Sequence, residues 1–217
     1  MSEGNANPDV NVDPQAVQST ITSLKEIVTI VTGLTITNSI VQLLTRNNLF
    51  SLSNVDLQSL LLFLVLLGNV IRFYHGNIRH LDTTYTLELG KGGAGDLKKG
   101  GGKKTAIDFF VILIQSIAFA IISFLIHNPQ EYFAFFAGLL VIDVIWFLGV
   151  YQYSPDRKAF EHQKKWSLNN IISVIALLIV ITTASSILGI MYVYVLWGIL
   201  LINTIIDYSI SWDFYFP

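Results

Sequence analysis

Six stretches of mostly apolar residues divide this chain, at about 27–45, 57–74, 106–127, 131–152, 168–185 and 187–207. A helix needs about 20 such residues to cross roughly 30 Å of hydrocarbon. Too little remains between the stretches for a separate soluble domain, which usually needs about 50 residues or more. Composition agrees: 53% of residues are hydrophobic and 13% charged, against about 25% charged in ordinary globular domains. The expected fold is an all-α integral membrane protein. Its 14–217 segment forms one polytopic domain, a compact bundle of about six antiparallel transmembrane helices, behind a disordered tail at 1–13.

Lysine and arginine mark cytoplasmic loops. The segment after span two holds Arg72, Arg79, Lys91, Lys98, Lys99, Lys103 and Lys104, and the segment after span four holds Arg157, Lys158, Lys164 and Lys165. With six spans these segments share a side with both termini and with Lys25, leaving only Arg46 opposite. Both ends are therefore expected in the cytoplasm, in the inner membrane if the source is prokaryotic. The first 24 residues carry no Lys or Arg and no apolar run, so span one is expected to act as the insertion signal. In "GNVIRFYHGNIRHLD" (68–82), Arg72 is expected where span two leaves the hydrocarbon, with its stem reaching the interface. Arg79, His80 and Asp82 then lie on a helical extension. Asp13 and Pro14 offer a helix start, "HNPQ" (127–130) and "SSILG" (185–189) read as tight turns, and "SWDFYFP" as an interfacial anchor.

The glycine- and lysine-rich run at 88–104 invites a phosphate-loop reading. That motif needs Ser or Thr after its lysine, and Lys103 is followed by Lys104. A flexible linker fits better. Lys98, Lys99, Lys103, Lys104, Arg157, Lys158, Lys164 and Lys165 are expected to contact anionic lipid or a soluble cytoplasmic partner. Specific nucleic-acid binding is not expected. Arg157 and His162 have the spacing of a ribonuclease Arg/His pair, but their loop is too short to build such a domain. His75, His80 and Asp82 are spaced wrongly for one metal on one helix face. No metal or cofactor is expected, there is no cysteine, and no enzyme signature appears.

Ionisable groups inside spans are functional hypotheses by default. Arg72, His75, Asp108, Gln115, Asp143, Asn203 and Asp207, with Asn69, Asn169 and Asn170, fall mostly in the inner half of their spans. They are the candidates for a polar vestibule, in which Arg72 is expected to reach Asp143 or Asp108. Span one alone is polar through its depth, and Thr32, Thr35, Asn38 and Gln42 mark the face expected to line a pore or pack on another helix. The leading functional expectation is an oligomeric ion or proton channel or transport component, its pore shared between protomers. The alternative is a non-catalytic sensor or partner subunit. A lipid enzyme using Asp108 and Asp207 would need them to converge, and no spacing specifies that.

Overall fold

The computed structural model describes residues 14–46, 49–52, 55–86, 102–153, 161–184 and 191–216. Helix α1 runs from Pro14 to Leu44, opening on a proline whose fixed φ suits the first helical position. Two short strands follow, β1 (Thr45–Arg46) and β2 (Leu49–Phe50), paired antiparallel. Helix α2 spans Leu57–Leu81 and is capped by Asp56, whose side chain accepts from the Ser59 amide. Its last turn passes into a π turn, Asp82–Thr86. Helix α3 (Gly102–Ser123) leads through a tight turn, closed by Asn128 N–H donating to the Leu125 carbonyl at 2.8 Å, into α4 (Pro129–Tyr153). Helix α5 covers Glu161–Ile179 and passes into a second π turn, Val180–Ala184. Helices α6 (Met191–Ile210) and α7 (Trp212–Tyr215) complete the described chain.

Six of these helices are long and apolar enough to cross a membrane: 18–44, 57–85, 105–123, 129–149, 164–183 and 191–210. Their packing closes a ring in the order α1, α2, α6, α5, α4, α3 and back to α1. Leu62, Leu66, Ile122, Phe133, Phe136 and Leu196 fill its centre. Two aromatics tie this core to α2, Tyr132 donating to the Leu62 carbonyl (2.7 Å) and Trp197 to that of Leu61 (3.0 Å).

The radial pattern reverses that of a water-soluble bundle. Ile30, Phe110, Ile145, Ile172, Ile202 and Ile205 point outward, while Arg72, Asp108, Asp143 and Asp207 are buried. An apolar exterior around charged interior groups suits hydrocarbon, where outward isoleucines cost nothing and charges must be enclosed.

The six expected stretches are recovered as long apolar helices. The second continues past 74 as the expected extension to Asp82, and its polar end finds partners within the protein. Arg72 is 1% exposed, so it does not reach for the interface: it lies inside the bundle. Residues 1–13, the loop from 88 to 101 with Lys98 and Lys99, the pair Arg157 and Lys158, and the turn at 185–189 lie outside the described residues. Lys103 and Lys104 fall in the first turn of α3 by backbone.

Candidate functional site

The buried polar groups form one connected chain, and its direction follows from what each group can do. A guanidinium can only donate. Arg72, on α2, donates to Asn203 Oδ1 on α6. That turns the Asn203 amide nitrogen toward α5, where it donates to Asn170 Oδ1 at 3.2 Å and to Ser173 Oγ at 2.9 Å. With its oxygen so engaged, Asn170 presents its nitrogen to Asp143 Oδ2 on α4, at 3.1 Å. From the other side Gln115, on α3, donates to Asp143 Oδ1, and its own oxygen accepts from Asn77 on α2 at 3.3 Å. Two donor chains thus converge on Asp143, and five of the six long helices contribute.

Arg72 takes its charge partner from α6. Its Nε lies 3.5 Å from Asp207 Oδ2, and both side chains are buried. This differs from the sequence expectation of Asp143 or Asp108, and the reason is position. Asn203 and Asp207 are four residues apart, so one face of α6 presents both to Arg72. The same carboxylate oxygen accepts from the Tyr215 hydroxyl at 2.8 Å. Burial, and then the Asp207 charge, hold that hydroxyl above the usual phenol range, so it serves as a donor. Arg72 Nη2, Asp207 Oδ1 and Asn69 Oδ1 are buried with no hydrogen-bond partner.

Asp108 lies apart, in a second cluster. It accepts from Tyr85 (2.6 Å) and Trp146 (2.7 Å) and faces His80 Nε2 at 3.0 Å, while the His80 ring meets the Trp146 ring edge-on. Asp108 and Asp207 therefore sit in separate sites, each with its own partners. His75 joins neither carboxylate among the contacts described. Its ring packs on Tyr215 and Phe216 with centroids 5.0 and 5.2 Å away. Below them Arg79 donates to the Phe214 carbonyl at 3.0 Å, which folds α7 back under the end of the bundle. Lys25 pairs with Asp82.

The polar face of span one turns inward. Thr35 and Ser39 are buried and Asn38 donates to Ser123 on α3 at 2.7 Å, while at Gln42 it is the backbone carbonyl that meets His127 Nε2, at 2.8 Å. Between α1, α2 and α3 lies a cavity with room for about one water, lined by Thr32, Thr35, Asn77, Gln115 and Ser116 among apolar neighbours. The Thr35 hydroxyl is buried there with no partner. Lys164 and Lys165 stand exposed at the start of α5. Among the described residues no group of three His, Asp or Glu side chains is placed to hold a metal ion.

Of the vestibule candidates, Arg72, Gln115, Asp143, Asn203 and Asp207 come together, while Asp108 and His75 do not join them. The sequence reading missed the partner roles of Asn77, His80, Tyr85, Trp146, Ser173 and Tyr215. For His80 a signal existed: Asn69, Arg72, Gly76 and His80 recur at three and four, which is one helix face running on past the apolar stretch. The aromatic donors gave no signal, because Tyr and Trp at helix ends read as interface residues.

A family model described as the DDB_G0287209 C-terminal domain matches residues 96–215, more than half of the chain. The chain belongs to this family. The match takes in α3 to α7, and so Gln115, Asp143, Asn170, Asn203 and Asp207, while Arg72 and Asn77 precede it. No curated protein and no solved structure matches the chain. The family's description names no activity, so function rests on the geometry.

Proposed function

We propose that this chain is a multi-pass membrane protein with both ends in the cytoplasm, and that it carries a proton or a small monovalent cation past Arg72, Asp143 and Asp207. The observation behind the proposal is a charge count. Two fully buried carboxylates, Asp143 and Asp207, stand in the polar chain with one buried guanidinium, Arg72. With both ionised, one negative charge stays uncompensated, and such a charge in the interior costs several kcal/mol, on the order of 3–5. A mobile positive charge that arrives and leaves supplies the balance. The apolar exterior supports insertion. The inward-facing polar side of span one supports a path within one protomer, next to α3, in place of a pore shared between copies.

The test is flux. Full-length protein in liposomes, under imposed pH, sodium and potassium gradients, should pass an ion that empty liposomes hold back, and Asp143→Asn should abolish that flux. Equal rates in protein-containing and empty liposomes would sink the proposal. Binding of the same protein to anionic vesicles or to a soluble partner, lost on replacing the exposed Lys164 and Lys165, would then favour the partner-subunit reading.

A further inference from the structure

We propose that the ion is a proton, that Asp143 is the group that binds it, and that Gln115 and Asn77 pass it to and from the cavity against α1. The inference rests on the transport reading for its biological sense, but its chemistry is separate. A bare cation must replace its hydration shell with several oxygens. Of the side-chain oxygens among the described residues, only Asp207 Oδ1, Asn69 Oδ1 and the Thr35 hydroxyl are buried without a partner, while the oxygens around Asp143 are turned toward N–H or O–H groups. Gln115 and Asn170 point nitrogens at Asp143, Asn203 points its nitrogen at Asn170 and Ser173, and Tyr215 points its hydroxyl at Asp207. A guanidinium among them repels a metal ion further. A proton needs no shell.

The two carboxylates divide the work by their neighbours. Asp207 lies beside Arg72 and serves as its counter-ion. The charged groups that act on Asp143 are Arg72, from α2, and Asp207, from α6, and they act in opposite senses. Asp143 meets two amides, Gln115 and Asn170, and an amide can turn its oxygen to a protonated acid as well as its nitrogen to a carboxylate.

The two sides of Asp143 differ in freedom. On the α5 side, Arg72 fixes the orientation of Asn203, and Asn203 fixes that of Asn170. On the α3 side the donor chain ends at Asn77 beside the cavity. When Asp143 gains a proton, the Gln115 amide can turn, so that its oxygen accepts the new O–H. Its nitrogen then faces Asn77, which turns in the same way. Thr32, Thr35 and Ser116 line the far end, and hydroxyls accept either polarity. The unpartnered Thr35 hydroxyl lines the water-sized space and meets that need. The step balances: a hydronium in the cavity gives its proton to the Gln115 oxygen and leaves as water, the turned amide hands that proton to Asp143, which gains an O–H bond, and the reverse passage restores the carboxylate and the neutral amide.

Two measurements on the full-length protein test this. Infrared spectroscopy at neutral pH should show the C=O stretch of a protonated carboxylic acid, moving to lower frequency in D2O. The band should vanish in Asp143→Asn, shift in Gln115→Met, which removes the acceptor, and stay in place in Tyr215→Phe, which alters only Asp207. In liposomes the proton current should fall to the empty-vesicle rate in Asp143→Asn. It should slow in Thr35→Val with no loss of melting temperature. No band, or a band that answers to Tyr215→Phe and not to Gln115→Met, overturns the assignment. A sodium or potassium current lost in Asp143→Asn overturns the proton while leaving ion transport standing. The expected band with no current of any ion leaves Asp143 as the proton-binding group and removes the transport reading.

Discussion

Arg72 is the residue on which the interior depends. Its guanidinium sets the orientation of every amide between it and Asp143, and its charge offsets that of Asp207. Truncating it removes the positive member of a buried pair, at about 3–5 kcal/mol. Arg72→Leu is therefore expected to lower the unfolding temperature in detergent sharply. Adding Asp207→Asn should recover much of that loss, with a coupling energy of about 0.5–3 kcal/mol. Adding Asp143→Asn instead should recover little, because Asp143 is held by amides and not by the salt bridge. Equal rescue by both second changes would show that the charges are shared evenly among the three groups. Tyr215→Phe deletes one hydrogen bond to Asp207 and should cost roughly 0.5–1.5 kcal/mol, measured in the same way.

At the scale of elements, the long second helix is the organiser. The apolar stretch at about 57–74 would let a shorter helix cross the membrane, yet α2 and its π turn run to Thr86. The reason is Asp108. Its carboxylate gathers His80 from α2, Tyr85 from the π turn and Trp146 from α4, and so pins the end of α2 to α3 and α4. Replacing Asp108 with Leu leaves these donors buried without an acceptor, at about 1–3 kcal/mol each. The expected result is faster amide hydrogen exchange through residues 78–86, with α6 protected as before. Unchanged exchange in 78–86 would mean that packing of Leu81 and Tyr85, which join a core cluster with Ile21, Leu24, Val28 and Ile112, suffices to hold this end.

At the scale of the whole molecule, the ring order and the polar chain belong together. The helices contributing Arg72, Gln115, Asp143, Asn170 and Asn203 are α2, α3, α4, α5 and α6, and α1 closes the ring against α2 and α3. The basic residues predict how this ring sits in a bilayer. Reporter fusions after residue 128 should report the outer side, and fusions at 95 and 160 the cytoplasmic side. An outer signal at 95 or 160 would overturn the orientation for the whole bundle, since the spans between them are too apolar to reverse singly.

The number of long helices, their approximate limits and the list of polar residues within them were all legible in the amino-acid order. Hydrocarbon thickness sets span length, and apolar runs of that length have few other readings. The start of α1 at Pro14 and the tight turn before Pro129 followed from local chemistry as well. Pairing was not legible. Arg72 faces Asp207 rather than Asp143 because α2 and α6 are ring neighbours, and ring order arises from helix contacts that no periodicity encodes. The same holds for Asp108, whose donors come from 23 to 38 positions away in the chain. Span one shows the division most plainly. Its polar face was visible as a repeat of three and four, but only packing on α3 turns that face toward a cavity inside the same chain.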